Sequence, residues 1–400
     1  MKRKVIITQK DEKILTALVE DGEVVELRIS PSQKEALAPE LGEIYIGKVQ
    51  KILSNIGAAF IDIGKGIDCY YDMHQKATPI FTAKAGKKNP EVLCTGDELL
   101  LQVSREAVKT KAPTVSSKLE FSGQYVVLTV GNMTLGMSSR LSTEQKAHYR
   151  EMMQPFSNES YGFILRTNAG TATDEMIREE VQQLIAEFEQ IRDAAMTRTC
   201  FSCLRTSEAP YLTELKDIYQ EGLEEYLVED ASLYQKIKAY LTAVLPQNVE
   251  KLHFYEDTNY TLVHRFSLDK VLHDALSEKV WLKSGGYLVI QPTEALTVVD
   301  VNSGKTGTKK GRGASNLLKV NIEAAKETAR QIRLRNLSGI VVIDFINMDA
   351  SEEWAELIRI LKQSLYLDPV QVNYIDTTAL QLVELTRKKV RRPLHECMSK

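Results

Sequence analysis

The stretch EALTVVDVNSGKTGTKKGRG, residues 294–313, begins as an apolar strand and ends in a loop of glycine and positive charge. Side chains alternate along a strand, so Val299 and Val301 lie on one face while Asp300 and Asn302 lie on the other. The Cα atoms of Asp300 and Asn302 are then about 7 Å apart. The sequence therefore places a carboxylate and an amide side by side at the end of a strand, directly before a basic loop.

A second apolar strand, GIVVIDFINM at 339–348, contains Asp344. If the two strands are neighbours in one sheet, Asp300, Asn302 and Asp344 converge at one strand end. Hard oxygen ligands of this kind suit Mg²⁺, which keeps most of its waters and meets a substrate phosphate. Such an ion can activate water and stabilise the leaving oxygen in phosphodiester cleavage. The alternative is that both aspartates cap neighbouring helices or turns.

The loop SGKTGTKKGRG, residues 303–313, contributes the cations Lys305, Lys309, Lys310 and Arg312. Beside a metal site these side chains would hold phosphates, whereas in isolation they are typical of a solvated loop. The spacing of the glycines differs from the G-x-x-x-x-G-K-[ST] pattern of nucleotide-binding P-loops. The loop is therefore informative only in combination with the acidic residues before it.

Strands and helices alternate around this stretch. GYLVIQPTEALTVVDVN predicts two strands joined at Pro292-Thr293, and helical patterns occur at 314–335 and 352–367. VQVNYID predicts a further strand, and the basic segment LVELTRKKVRR, 382–392, predicts a closing helix. This alternation is typical of an α/β layer domain.

The beginning of the chain consists of short strand patterns instead. Residues 4–30 predict a β-meander with a hairpin turn at Asp21-Gly22. Residues 42–71 and 91–119 alternate short apolar strands with glycine turns. Strands of this length and spacing predict a small barrel.

The middle of the chain mixes the two element types. GQYVVLTV and SYGFILRT predict strands, and Thr171 with Asp174 predicts the capped start of an amphipathic helix. Residues 213–245 predict mostly helix, followed by a short strand at 250–255 and a helix at 267–279.

Aromatic and cationic side chains in the predicted barrel fit a single-stranded nucleic acid. Phe60 and Tyr70 lie on or beside strand ends, and Arg105 and Lys111 follow in a later segment. Rings that stack bases, with cations for the backbone, are how small barrels hold single strands. The alternative for Phe60 is a place in the barrel core.

Composition limits the classes of protein that remain. At 400 residues and 43% apolar content, the chain should fold into two or more domains. Its net charge of −3 means that a polyanion must be held by local basic patches and not by the overall field.

The sequence also indicates a cytoplasmic protein. No apolar run reaches the roughly 18–20 residues of a membrane span, and the N-terminus lacks a signal-peptide pattern. Five cysteines, an odd number, fit a reducing compartment. Cys200 and Cys203 form a C-x-x-C without a second pair, so they are predicted to be ordinary thiols.

Several segments together resemble the ribonuclease E/G family of bacterial endoribonucleases. GGYLVIQPTEALTVVDVNSG, NIEAAKETARQIRLRNLSGIVVIDFINM and LVELTRKKVRR are similar to signature segments of that family. GEIYIGKVQKILSNIGAAFIDIG resembles the inserted OB barrel of the family, which is of the ribosomal-S-one type. The resemblance runs in order along nearly the whole chain.

The resemblance implies a multidomain fold of the α+β and α/β classes. A degenerate RNase-H-like subdomain would comprise 1–38 and 212–277. Two subdomains would be inserted into it, an OB-fold RNA-binding barrel at 39–118 and a 5′-sensor subdomain at 119–211. A DNase-I-like catalytic subdomain would follow at 278–400.

The resemblance further implies a Mg²⁺-dependent endoribonuclease that cuts single-stranded RNA in RNA processing and decay. Asp300 and Asp344 would bind the Mg²⁺ ion, and Asn302 would orient the attacking water or the phosphate. Cleavage would leave a 5′ phosphate on the downstream product.

Two other groups of residues match RNA-contacting positions of the family. A pocket for a 5′ monophosphate is implied at Gly123, Val127, Arg166 and Thr167. Contacts with single-stranded RNA are implied at Phe60, Tyr70, Arg105 and Lys111. Arginine is suited to bidentate phosphate binding, and Arg166 shortly precedes a helix N-terminus, which favours an anion. A preference for 5′-monophosphorylated RNA is therefore expected.

The chain departs from the family pattern at three places. The family has a C-P-x-C motif that joins protomers through zinc, whereas here Cys397 stands alone, so we expect a monomer or weak dimer and no zinc-linked tetramer. Gln371 stands where an arginine is expected near the 5′ pocket, which predicts weaker sensing. Asn347 replaces a family aspartate and is expected to lie away from the metal.

Two other functions compete with the nuclease. A non-catalytic RNA-binding or ribosome-associated protein could keep the fold, but such a protein would be expected to lose Asp300 or Asp344, and both are present. A phosphodiesterase acting on a small nucleotide would have no use for an RNA-binding barrel.

Overall fold

A computed structural model describes residues 2–10, 12–31, 39–64, 66–75, 77–85, 92–107, 112–257, 259–304, 315–348 and 350–398. These residues fall into two compact units, one of Met1–Ser32 with Gly222–Lys400 and one of Gln33–Glu221. Five basic residues singled out from the sequence lie outside the described residues, namely Lys111, Lys305, Lys309, Lys310 and Arg312.

The chain begins with the predicted β-meander of β1 (Arg3–Lys10), β2 (Lys13–Glu20) and β3 (Glu23–Pro31). Asp21 and Gly22 link β2 to β3 with φ angles of 46° and 90°. Positive φ at both central residues is the requirement of a tight hairpin turn, which Asp-Gly meets with little strain. The predicted hairpin turn is therefore confirmed.

The next segment folds into β4 (Ile44–Leu53), β5 (Ala58–Asp62), β6 (Asp68–Asp72), β7 (Phe81–Ala83), β8 (Glu98–Arg105) and β9 (Thr114–Ser116). Five of these described strands pair in the order β4-β5-β6-β9-β8, and β8 pairs back with β4. The ring of pairings closes the predicted OB-like barrel. Its core includes Val49, Ile61, Tyr71 and Leu101.

A separate small sheet follows, built from β10 (Glu120–Ser122), β11 (Val126–Val130), β12 (Leu135–Met137) and β13 (Tyr161–Leu165). It is accompanied by α1 (Thr143–Met153) and α2 (Asp174–Ala195). The predicted cap of α2 was wrong by two residues, because the hydroxyl of Thr173 accepts the hydrogen bond from the backbone N–H of Met176. Thr171 instead ends a preceding 3₁₀ turn.

The region from 203 to 276 contains β14 (Cys203–Arg205), α3 (Pro210–Thr213), β15 (Leu223–Val228), α4 (Ala231–Val244), β16 (Leu252–Phe254), α5 (Leu262–Arg265) and α6 (Leu268–Leu276). The prediction of mostly helix for 213–245 was wrong for β15. That strand pairs in parallel with both β1 and β16, in the order β16-β15-β1-β2-β3. Pairing with β1, which lies far away in the chain, decides the conformation of β15, and local sequence does not reveal such a contact.

The C-terminal sheet consists of β17 (Lys279–Trp281), β18 (Tyr287–Pro292), β19 (Leu296–Asn302), β20 (Gly339–Asp344), β21 (Val372–Thr377) and β22 (Leu382–Arg387). The helices of this region are α7 (Ser315–Leu334), α8 (Ser351–Leu365) and α9 (Leu394–Met398). The described strands lie in the order β17-β18-β19-β20-β22-β21. The predicted basic helix at 382–392 was wrong, since its first six residues are β22.

The error at β22 has a physical cause in its burial pattern. Val383 and Leu385 are fully buried, while Leu382, Glu384 and Thr386 are only partly buried. This alternation has the period of a strand, and β22 pairs on both sides, with β20 and β21. The lysine and arginine residues that suggested a helix lie mostly after the strand has ended.

One face of this sheet is covered by α7 and α8. Val299, Val301, Val341 and Ile343 pack in one core cluster with residues of both helices, including Ala324. The side chains that alternate with them project from the opposite face. Mixed α/β layers and a closed barrel confirm the predicted multidomain α/β class, whereas its division into four named subdomains stays a prediction.

Two further findings bear on the sequence-based expectations. Among the described helices, none is long and apolar enough to cross a membrane. All five cysteines lie in the described ranges, and none forms a disulfide. Burial raises the pKa of the Cys200 thiol to about 11, which fits an unreactive cysteine.

A buried ion network joins α7 to the N-terminal sheet. Arg333 donates from Nε to Glu26 (2.9 Å) and from Nη1 and Nη2 to Glu20 (3.0 and 3.1 Å). Glu20 also accepts from Arg3, and Glu26 from Arg28. Burial alone would raise the pKa of Glu26, but the neighbouring guanidinium groups outweigh it and hold that pKa well below its usual range.

We expect Glu26→Gln to lower the free energy of unfolding by about 3 kcal/mol at neutral pH, because Arg28 and Arg333 lose a buried counter-charge. The lowered pKa of Glu26 contributes stability that is present above its ordinary value of 4.5 and is lost as the pH falls towards the lowered value. Urea titrations should therefore show the difference between the two proteins shrinking below about pH 4.5.

The matched control is Asp269→Asn, which breaks an ion pair with Lys10 in which both side chains are about half exposed. An exposed pair of this kind contributes less than about 1 kcal/mol. Equal losses in the two variants, or a loss from Glu26→Gln that does not change with pH, would contradict the assigned role of the network.

Candidate active site

The two predicted metal-binding carboxylates lie side by side. β19 and β20 run parallel, and their register pairs Asp300 directly with Asp344. Paired residues lie on one face of a sheet, so both carboxylates project from the face opposite α7 and α8, where both residues are exposed. Nδ2 of Asn302 donates a 2.7 Å hydrogen bond to Oδ2 of Asp300. The structure thus brings the three residues together.

Two glycines hold the end of β19 in place. Gly304 has a φ of +59°, and a Cβ at this position would lie 2.3 Å from the carbonyl oxygen of Gly285. A Cβ on Gly286 would lie 2.7 Å from the carbonyl oxygen of Asn302. Larger residues at Gly286 and Gly304 would push the two segments apart, so glycine is needed for the backbone that positions Asn302.

A buried asparagine fixes the segment that follows Asp344. Asn321 of α7 is fully buried, and its Nδ2 donates to the carbonyl oxygen of Ile346 at 2.7 Å. Its Oδ1 accepts from the backbone N–H of the same residue at 3.1 Å. Both hydrogen bonds of one amide thus hold one residue of the loop. Sequence reasoning missed Asn321, because its role depends on a contact 25 residues away.

The donor set fits a small hard cation. Within the described part of the chain, no group of three or more His, Cys, Asp or Glu side chains could hold a metal ion. Mg²⁺ needs fewer protein ligands, because it keeps several waters and is usually bound through one or two carboxylates and a substrate phosphate. Asp300 and Asp344 supply two such carboxylates on an exposed face.

Three of the predicted RNA-contacting residues, Phe60, Tyr70 and Arg105, lie in one row of the barrel. Register pairs Phe60 with Tyr70, Tyr70 with Thr114, and Thr114 with Arg105, which crosses four neighbouring strands. The rings of Phe60 and Tyr70 meet edge to face with centroids 6.5 Å apart. Phe60 is only half-buried, between the core residues Ala59 and Ile61. It therefore lies on the outer face, and the alternative of a core position is wrong.

Arg166, predicted for the 5′ pocket, is already engaged by the chain itself. Its Nη1 donates to the carbonyl oxygen of Gly123 at 2.6 Å, and its Nη2 is ion-paired with Asp217. Gly123 and Arg166 are thus in direct contact, as expected for residues of one pocket. A phosphate would have to compete with Asp217 for the guanidinium.

The other two residues predicted for this pocket lie on β11 and in the 3₁₀ turn Thr167–Thr171 that follows β13. Val127 of β11 is paired with Ser122, the residue next to Gly123. The hydroxyl of Thr167 lies 2.8 Å from that of Ser138. The hydrogen bonds of Arg166 thus involve Gly123 and Asp217, whereas that of the Thr167 side chain involves Ser138.

A carboxylate accepts hydrogen bonds from the backbone N–H groups that follow Gly123. Glu180 of α2 accepts hydrogen bonds from the backbone N–H groups of Gln124, Tyr125 and Val126 at 2.6–2.8 Å. Burial raises the pKa of Glu180, although these hydrogen bonds oppose the rise. Successive N–H groups of this kind form an anion-binding concavity. No sequence pattern predicts this role, since Glu180 lies among other acidic residues of α2.

Two residues that depart from the family pattern, Gln371 and Asn347, have no charged group of their own in this structure. Nε2 of Gln371 donates to Oδ1 of Asn373 at 3.1 Å, and Asn347 is exposed. Neither residue is charged, so the structure adds no cation at 371 and no carboxylate at 347. Weaker 5′ sensing therefore stays a prediction.

Comparisons with known proteins show which proteins this chain resembles. Ribonuclease E from Synechocystis sp. is 29% identical over 401 residues, which is 99% of this chain and 58% of the relative. Ribonuclease G from Haemophilus influenzae is 28% identical over 98% of this chain and 80% of the relative. Ribonuclease G from Escherichia coli (strain K12) is 27% identical over 100% of this chain and 82% of the relative. The chain thus spans little more than half of some relatives and most of others.

A family model covers the small sheet, the carboxylate pair and the strands around them. The model of the Ribonuclease E/G family matches residues 120–390, which is more than half of the chain. The matched segment includes both Asp300 and Asp344, together with Asn302. The chain therefore belongs to the ribonuclease E/G family.

Proposed function

We propose that the chain is a Mg²⁺-dependent endoribonuclease that hydrolyses phosphodiester bonds in single-stranded RNA during RNA processing and decay. The observation that carries this proposal is the register of β19 and β20, which pairs Asp300 with Asp344 on an exposed sheet face. Family membership gives that geometry its interpretation, and the relatives named ribonuclease E and ribonuclease G support the reaction class.

The carboxylates of Asp300 and Asp344 would hold Mg²⁺, which when bound supplies Lewis-acid activation of water and stabilisation of the leaving oxygen. The hydrogen bond from Asn302 orients the Asp300 carboxylate. Asn302 keeps its second N–H and its carbonyl oxygen for the phosphate or the attacking water, because an amide has two donor hydrogens. Asn321 holds the backbone of Ile346 and so helps to position the end of β20 that carries Asp344.

The barrel would hold the strand that is to be cut. Phe60 and Tyr70 offer ring surface to bases, and Arg105 at the end of the same row offers an exposed charge to the backbone. The contacts are with base faces and phosphates, which every nucleotide carries. This arrangement favours unpaired RNA without a strict sequence requirement.

Arg166 would bind the terminal monophosphate of RNA and so favour transcripts that have already been processed. Its guanidinium is held against Gly123 and Asp217, and this fixes its direction. A charge-assisted hydrogen bond contributes about 1.5–3 kcal/mol. Competition from Asp217 and the uncharged Gln371 place the expected effect at the low end of that range.

Asp344→Asn should abolish cleavage and leave RNA binding intact, because the barrel residues are unchanged. The measurement is gel analysis of a 5′-labelled single-stranded oligomer with Mg²⁺, beside fluorescence anisotropy of the same RNA in EDTA. Asp376→Asn, an exposed acid of β21 in the same sheet, is the control and should cleave normally. Full activity of Asp344→Asn, or of the unmodified protein in excess EDTA, would refute the proposed role.

The preference for a 5′ monophosphate over a 5′ hydroxyl should be about tenfold in kcat/KM, equivalent to about 1.4 kcal/mol. Arg166→Ala should remove that preference while the hydroxyl substrate is cut as before. Asp217→Asn should increase the preference, since it frees the guanidinium. Arg192→Ala, a partly exposed arginine of α2, is the control. Equal rates on both substrates with the unmodified protein, or an equal loss on both in Arg166→Ala, would contradict this assignment.

A further inference from the structure

An aromatic pair formed by an exposed tryptophan and a partly buried tyrosine lies at the β17 end of the C-terminal sheet. Trp281 of β17 and Tyr287 of β18 have ring centroids 5.3 Å apart at an interplanar angle of 61°. Nζ of Lys279 lies 4.1 Å from the Trp281 centroid and 3.6 Å from the Tyr287 centroid. Trp281 is 66% exposed, although indole is among the largest apolar side chains. We call these three residues the aromatic platform.

The aromatic platform shares a sheet face with the candidate active site. Trp281 is paired with Tyr287, and Tyr287 is paired with Asn302. In the next row, Lys279 is paired with Val289 and Val289 with Asp300. Paired residues lie on one face, so Trp281 is two strand spacings, about 10 Å, from Asn302.

Packing does not account for this placement. The other tryptophan of the chain, Trp354, is partly buried against Phe345, and its Nε1 donates to the carbonyl oxygen of Met348 at 3.1 Å. Trp281 lies instead on an edge strand, and its side chain points away from the core formed by Leu288 and the helices. Exposed aromatic side chains beside a cation are typical of surfaces that bind single-stranded nucleic acid.

We propose that the aromatic platform stacks one nucleobase of the RNA strand whose phosphate lies at Asp300 and Asp344. The proposal rests on the proposed nuclease function and adds a binding subsite to it. An unpaired base offers a π-face to Trp281, and its phosphate offers a negative charge to Lys279. At the rise of about 3.4 Å per stacked nucleotide, the base lies within about three nucleotides of the scissile phosphate.

The aromatic platform supplies a positive charge and a stacking surface for RNA, which the two carboxylates alone do not provide. Asp300 and Asp344 repel the RNA backbone, and Lys279 in the same row brings a positive charge to the same face. A stacked base holds the strand without adding charge next to the acids. The platform therefore positions the scissile phosphate and takes no part in the chemistry.

Intrinsic fluorescence tests the contact without any cleavage, because the chain has two tryptophans. In Trp354→Phe, which leaves Trp281 as the only indole, a single-stranded RNA oligomer in EDTA should quench the emission. In Trp281→Phe, which leaves Trp354, the same RNA should change the emission little. Anisotropy of a dye-labelled copy of the oligomer reports binding in both variants.

Cleavage of a set of oligomers with one abasic nucleotide at successive positions tests the location. With the unmodified protein, one position near the cut should lower kcat/KM about tenfold, equivalent to about 1.4 kcal/mol. Trp281→Ala should lower kcat/KM about tenfold on intact RNA and show no further loss at that position. Trp281→Phe should recover most of the activity, because phenylalanine keeps a stacking ring.

The outcomes separate this proposal from the nuclease proposal. If the unmodified protein quenches and binds but does not cleave with Mg²⁺, the platform stands and the nuclease function fails. If RNA binds without quenching Trp281, or if Trp281→Ala slows every abasic substrate by one common factor, the platform is overturned. It is equally overturned if Trp281→Ala leaves RNA cleavage unchanged and alters only the sedimentation coefficient, which would assign the surface to a second copy of the chain.

Discussion

The parallel pairing of β19 with β20 is the constraint on which the candidate site depends. A slip of one residue would move Asp300 and Asp344 to opposite faces of the sheet, because side chains alternate with a period of two. The helix α7 connects the two strands, and three sets of contacts hold this helix in place. Its small residues pack on the sheet, Asn321 holds the segment after Asp344, and Arg333 is locked by Glu20 and Glu26.

A chain with a net charge of −3 is proposed to bind RNA, and the proposed contacts combine single cations with aromatic rings. Arg105 lies in the same row as Phe60 and Tyr70, and Lys279 lies over the rings of Trp281 and Tyr287. Binding of this kind depends on ring surface as much as on charge, so it needs no strongly basic field. Arg166, the cation proposed for the terminal phosphate, is by contrast ion-paired with Asp217.

Local sequence patterns correctly predicted the features that depend on residues close together in the chain. The alternation around Asp300 predicted its face, Asp21-Gly22 predicted a turn, and apolar spacing predicted α2, α7 and α8. The error at β15 occurred where pairing with the N-terminal strand β1 decided the conformation, and the error at β22 occurred where basic residues after the strand obscured its alternating burial. The roles of Asn321 and Glu180 had no sequence signal, because a buried amide or carboxylate is recognisable only from the backbone groups it contacts. The exposure of Trp281 likewise follows from its edge position, which the order of strands alone decides.

The most direct test of the central claim is a count of bound divalent cations. Electron paramagnetic resonance of Mn²⁺ titrated into the full chain should show one site that Mg²⁺ displaces, since both ions prefer oxygen ligands. Replacing both acids, as Asp300→Asn with Asp344→Asn, should remove that site while circular dichroism shows an unchanged fold. Unchanged Mn²⁺ occupancy in the double variant would contradict the claim that the register of β19 and β20 creates a metal site.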